Sequence, residues 1–296
     1  MRPLVQMSSI AILLSNVCQN SCANCTQSVD HMPGWFMDMD TFKKAIDSMK
    51  GFSGVVGFQG AEPLLCPQFT EMCEYAVSVL PKEQLGLWTC LPKGKEKYRE
   101  TIANTFGNIF INSHGRNDIL HAPILVASEE LPIEQWVKDY LVDQCWVQNT
   151  WSAAINPKGA FFCEVAAGLA MLFNLDIGWS IEPGWWTRSP RAFTEQLDAC
   201  CHMCGAAMPL MRRVSTEEVD DISPGMFEKL KDVSPKVKAG KYIIHDLSVA
   251  QDDRPVATYK DEDYRQETAK TYGMFLSVNE RQYHEPHLFK NWQQGV

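Results

Sequence analysis

The sequence predicts an α/β fold built on a parallel sheet. Three observations carry this. Apolar runs long enough for one buried strand each recur at 10–14, 55–58, 85–89, 108–112 and 123–127. The stretches between several of them hold apolar residues at helical spacing. The runs also end in polar residues, as strands do whose carboxyl ends carry the chemistry. Strands alternating with helices in this way imply right-handed βαβ crossovers and parallel pairing.

Taken in order, the first run leads into a polar, cysteine-rich loop and then a helix at 41–49. Asp40 is its expected N-cap, and Phe42, Ala45, Ile46 and Met49 share one face. Gly51 and Gly54 end it, and the second strand runs into Gln59, Gly60, Ala61, Glu62 and Pro63. A helix at 67–80 carries Phe69, Met72, Cys73, Ala76 and Val79, which makes Cys73 a small buried hydrophobe. The third strand ends at Cys90, with a helix at 93–103 behind it. The fourth ends at Ser113 and the fifth at Ser128, Glu129 and Glu130. A helix at 132–141 and a sixth strand starting near 145–147 follow. Then the pattern changes to a hairpin, with arms at 151–155 and 160–162 around Asn156, Pro157, Lys158 and Gly159. It runs into Cys163 and an apolar helix at 165–173.

Composition narrows the function. A chain of 296 residues has room for one α/β barrel or two modest domains, and 45% hydrophobic with 21% charged residues is ordinary for a globular protein. A net charge of −9 argues against nucleic acid, whose recognition needs clustered Lys and Arg. No run of 18 apolar residues suggests a membrane span, and residues 1–6 carry no secretory signal, so a cytoplasmic protein is expected. Eleven cysteines, an odd number in clustered spacings, then point to metal or catalysis in a reducing compartment rather than to disulfides.

The sharpest cluster is Cys18, Cys22 and Cys25, spaced C-x3-C-x2-C directly after the first strand. Closed iron–sulfur sites take four cysteines, so three in one loop leave an iron of a [4Fe–4S] cube open to another ligand. This triplet resembles the cluster loop of the radical S-adenosylmethionine (SAM) enzymes, in which the open iron binds the amino and carboxylate groups of SAM. Asn24 departs from the family, which usually has an aromatic residue there. The segment Gly60, Ala61, Glu62, Pro63 resembles the Gly-Gly-Glu-Pro motif that receives the SAM amino group, with Ala61 in place of one glycine. The resemblance implies a partial (βα)6 barrel over 1–144, and SAM contacts from Gly60, Ala61, Glu62, Pro63, Ser113 and Glu129.

Further on, Cys145 and Cys163 are spaced C-x17-C, and Cys201 and Cys204 form a C-x2-C pair. This series resembles the twitch extension, a shortened form of the SPASM domain, which binds one auxiliary [4Fe–4S] cluster. The four would be its ligands over 145–210, with Cys200 a rival to Cys201. Four cysteines would satisfy structural zinc equally well.

The resemblance implies reductive cleavage of SAM to a 5′-deoxyadenosyl radical, which takes hydrogen from a C–H bond of a small polar substrate. Dehydrogenation of a sugar or aminocyclitol alcohol is the expected outcome, with electrons from a donor such as flavodoxin or ferredoxin. Epimerisation or dehydration of a sugar or aminoglycoside, or SPASM-type peptide modification, are the alternatives within the family. A two-cluster electron carrier or a zinc-stabilised binding module is the alternative outside it. Cys66, just past Pro63, and Cys90 are candidate hydrogen donors for the epimerase reading. The linker tryptophans Trp179, Trp185 and Trp186 read as packing residues. The remainder, 211–296, is the least informative: a helix opened by Ser223 and Pro224, a strand at 241–244, a helix at 261–272 and His284 and His287 near its end.

Overall fold

The structure, a computed structural model, describes residues 1–112 and 119–247. The expected helix at 261–272, Ser113, His284 and His287 lie outside those residues.

Four strands and three helices open the chain in strict alternation. They are β1 (Ser9–Leu13), α1 (Met39–Ser48), β2 (Val55–Gln59), α2 (Phe69–Val79), β3 (Leu85–Thr89), α3 (Arg99–Thr105) and β4 (Asn108–Ile111). Pairing is parallel throughout, in the order β4-β3-β2-β1. All five residues of β1 and of β2 are buried, as expected of strands covered on both faces. Phe58 of β2 anchors the helix layer, its ring 5.2 Å from Phe42 and 5.0 Å from Phe106.

The N-cap of α1 is Asp38, not Asp40: its carboxylate accepts from the Thr41 N–H at 2.9 Å and the Thr41 hydroxyl at 2.7 Å. Asp40 sits in the first turn, where a negative charge complements the helix dipole.

The fifth and sixth expected strands do not form. The run at 123–127 is buried but irregular, with a bridge from Leu125 to Ile222 of the later strand pair. Its backbone is satisfied elsewhere: the Ile124 carbonyl accepts from Gly205 N–H at 3.2 Å and the Leu125 carbonyl from Ser223 N–H at 3.1 Å. Around it lie the two-residue β5 (Leu120–His121) and α4 (Gln135–Asp143). Residues 146 and 147 start a helix, α5 (Trp146–Thr150), with Cys145 as its N-cap. A short apolar run does not distinguish a strand from a buried helical turn.

The hairpin is present as β6 (Ser152–Asn156) and β7 (Gly159–Phe161), antiparallel to each other. It is not separate from the sheet, since β6 pairs in parallel with the free side of β1. Helix α6 (Glu164–Leu172) follows, then α7 (Thr194–Cys200). Between them Trp185 and Trp186 donate their indole N–H groups to Ser48 at the end of α1. The last described elements are β8 (Arg213–Val214), β9 (Asp220–Ile222), α8 (Pro224–Leu230), α9 (Pro235–Lys238) and β10 (Tyr242–Ile244). Strand β10 pairs in parallel with β9, and β8 pairs with β5. No helix of the described residues is long and apolar enough to cross a membrane.

Candidate functional site: two cysteine groups on either side of one helix

Cys18, Cys22 and Cys25 occupy the loop between β1 and α1. The Gly60–Pro63 segment ties that loop down. Gln59 carbonyl accepts from Leu14 N–H at 2.8 Å, Ala61 N–H donates to Ser15 carbonyl at 2.9 Å, and Glu62 N–H donates to Val17 carbonyl at 3.1 Å. The strand ends β1 and β2 thus continue as a backbone zipper up to the first cysteine. Gly60 makes this possible: its φ is +118°, and a Cβ there would stand 2.6 Å from the Ser15 carbonyl oxygen.

Burial and neighbouring thiols shift all three. Burial and then the charges of Cys25 and Cys18 push the Cys22 thiol up to about 12. Burial also raises Cys25, to about 11. Cys18 is lowered, chiefly by its neighbour Cys90. Iron deprotonates a coordinating thiol outright, so a metal held here would offset the cost of ionising them. Three sulfur donors in one loop, with no carboxylate among them, fit an iron–sulfur cluster.

Glu62 is fully buried, and burial raises its carboxyl above the usual range. Its carboxylate accepts from Leu64 N–H at 3.0 Å, the Thr89 hydroxyl at 2.7 Å, Cys90 N–H at 2.9 Å and the Cys90 thiol at 2.9 Å. It therefore locks the end of β3 to the turn after β2. Cys90 also accepts from the Gln19 side chain at 2.8 Å, which brings it onto the cysteine loop. Cys66 lies elsewhere, 1% exposed in the main core with its sulfur 3.8 Å from that of Met72.

The second group assembles around one largely apolar cavity, lined by Cys145, Cys163, Cys201 and Cys204 together with Phe162 and Ala166. Cys163 and Cys201 are raised well above the ordinary thiol range, by burial and then by neighbouring cysteines of the set; Cys204 rises to about 12. Cys200 also borders the cavity, but its thiol lies toward the Ala166 carbonyl, 3.9 Å away, and burial is what raises it. Among the described residues, no group of three or more His, Cys, Asp or Glu is arranged to hold a single metal ion.

Glu129 falls on the side of the second group, on a cavity of about 520 Å³ that Cys201 and His202 also line.

Helix α6 joins the two groups. Its first residue, Glu164, directly follows Cys163 and is fully buried. Its carboxylate accepts from Thr26 and Gln27, just past Cys25, at 3.0 and 2.7 Å, and from Gln59 and Ser152 at 2.8 and 3.1 Å. One turn on, a Cβ at Gly168 would stand 2.6 Å from the Thr26 carbonyl oxygen, so the helix backbone rests on the first cysteine loop. Neither contact was legible in the sequence, where Glu164 reads as one more acidic residue at a helix start.

The other grip comes from the chain's later third. Asn24 is 1% exposed with φ +51°, in the left-handed region, and both ends of its amide bond Asp221: Nδ2 donates to the carboxylate at 2.9 Å, and Oδ1 accepts from Asp221 N–H at 2.9 Å. Asn is among the residues that tolerate this conformation; a ring at the same position would find Asp221 in its place.

No family model matches the chain, and no curated protein does. Among solved structures, it is similar to BtrN in complex with AdoMet and 2-DOIA, at 14% identity, covering 67% of this chain and 92% of that one, with a TM-score of 0.43. It is also similar to SeMet BtrN in an open conformation, at 17% identity, covering 67% of this chain and 86% of that one, with a TM-score of 0.43.

Proposed function

We propose that this chain is a radical SAM enzyme with two [4Fe–4S] clusters, which oxidises a small polar alcohol of the sugar or aminocyclitol class. The observation that carries the reading is the zipper between Ser15–Val17 and Gln59–Glu62, which sets a three-cysteine loop against the turn after β2. A zinc knuckle or an electron carrier needs no such partner for its cysteines.

In this reading Cys18, Cys22 and Cys25 hold the first cluster. Bound there, the cluster and SAM supply one-electron cleavage of SAM and the hydrogen-abstracting radical. The chain's own residues position and enclose. The carbonyls of Gly60 and Ala61 are acceptors of the kind that the SAM ammonium needs. The Glu62 carboxylate works one step back, holding the end of β3 and Cys90 against the loop. Cys145, Cys163, Cys201 and Cys204 would hold the second cluster, which would supply an electron acceptor for a dehydrogenation. Cys66 packs in the core and has no part in hydrogen donation.

Anaerobic reconstitution tests the reading. About eight irons, and 5′-deoxyadenosine formed from SAM on reduction, are expected for two cubes. Cys201→Ala should lose about half the iron, while Cys200→Ala keeps it. Absence of 5′-deoxyadenosine refutes the enzyme reading. About four irons with stoichiometric zinc refutes the second cluster alone.

A further inference from the structure

We infer that the buried ion pair Asp220–Lys236, on the far side of the chain from the first cysteines in sequence, is a positioning element for their loop and sets how readily a cluster held there is reduced. The inference rests on the function proposed above.

The side chain of Lys236 has no exposure to solvent. Its ammonium donates to the Cys22 carbonyl at 2.9 Å and to the Asp220 carboxylate at 3.0 Å. Asp220, itself 1% exposed, accepts the backbone N–H of Asn24 and lies against His31 Nε2. His31 Nδ1 is 2.8 Å from the hydroxyl of Ser234, the N-cap of the helix that carries Lys236. Next along the strand, Asp221 holds the Asn24 side chain and is itself paired with Arg213 at 2.6 Å. The backbone from Cys22 to Asn24 is thus gripped from behind by ions of β9 and α9.

Packing alone does not account for such a pair. Buried ions are costly to desolvate, and an apolar pair of similar volume often serves stability as well or better. What the ions add is direction and charge. The ammonium is aimed at the carbonyl of Cys22, and the carboxylate at the N–H of Asn24, the residue before Cys25. Asp220 stays ionised: burial pushes its carboxyl up, but hydrogen bonds and charge from His31 and Lys236 outweigh it and hold it below the usual range. Reduction adds one negative charge to a cluster. A fixed positive charge beside it favours that step and a fixed negative charge opposes it, since net charge and hydrogen bonding around the sulfurs set cluster potentials.

The two ions therefore act in opposite directions, which a purely structural role would not produce. The experiment is an anaerobic redox titration of the reconstituted full chain, following the electron-paramagnetic signal that SAM perturbs, in the wild type, Lys236→Met, Lys236→Arg and Asp220→Asn. Lys236→Met is expected to move the midpoint to more negative potential and Asp220→Asn to more positive, with Lys236→Arg close to the wild type. Equal midpoints in loaded variants, or shifts of the same sign in Lys236→Met and Asp220→Asn, overturn the inference. If Lys236→Met does not fold, Asp220→Asn decides: a positive shift supports the inference, and no shift or a negative one overturns it. A wild type that takes up no SAM-responsive cluster refutes the proposed function and the inference with it, whereas a loaded wild type with unmoved variants refutes only the inference.

Discussion

The carboxylate of Glu62 is closed on Cys90: one of its oxygens accepts both the N–H and the thiol of that residue, each at 2.9 Å. A residue expected to face SAM instead has four donors from its own chain. Glu62→Gln replaces an oxygen with an N–H group that meets donors. It should destabilise the protein by about 1–3 kcal/mol, read by denaturant unfolding, and should raise the SAM concentration needed for cleavage. Cys90→Ala removes one donor of four and should cost about 1 kcal/mol while 5′-deoxyadenosine still forms.

Gly60→Ala should be more damaging than its size suggests. The new Cβ would meet the Ser15 backbone at 2.6 Å in a conformation that L residues rarely adopt. A loss of about 1–3 kcal/mol and reduced iron uptake are expected, measured by thermal unfolding and iron analysis. Wild-type iron uptake in Gly60→Ala would show that the zipper does not position the loop.

Asn24→Tyr would bring this chain closer to the family pattern, and it should fail. It removes both bonds to Asp221, places a ring in the left-handed region and leaves the Asp221 carboxylate to Arg213. Destabilisation of about 2 kcal/mol or more is expected, and, on the proposed function, a lower iron count after reconstitution. Asn24→Asp is less severe sterically but sets a second carboxylate against Asp221, so it should also weaken the loop.

Glu164 gives a pH signature. Burial raises its folded-state carboxyl above the unfolded value, although four hydrogen bonds from Thr26, Ser152, Gln27 and Gln59 oppose this. A carboxyl raised on folding contributes stability below its unfolded pKa and loses it as the pH climbs through the folded one. The stability advantage of the wild type over Glu164→Gln should therefore shrink as the pH rises above the ordinary carboxylate range. Unfolding curves across that range measure it, and a widening difference would mean that the hydrogen bonds prevail.

The first half of the fold was legible because its elements are locally determined: β1 to β4 are apolar runs, and α1 and α2 carry one apolar face. The runs at 123–127 and 145–147 misled because their apolar residues are buried, as strand residues would be, while their backbones bond to Gly205, Ser223 and Asn149. Such partners are chosen by tertiary structure, not by period. The cysteines were legible from spacing; what surrounds them was not. Asp220, Lys236 and Glu164 look like ordinary surface charges in sequence, and only their partners reveal them as buried.

The place of β1 has a consequence for how the protein is made. Its neighbours are β2, which follows soon after, and β6, which includes Ser152 paired with Ser9. During synthesis the first cysteines leave the ribosome early, yet their floor (α6 on Thr26) and their rear support (β9 and α9) are translated much later. Until then the loop has only one wall, and its thiols are open to oxidants and stray metals. The loop's support is therefore complete only when Lys236 has been made, long after Cys25.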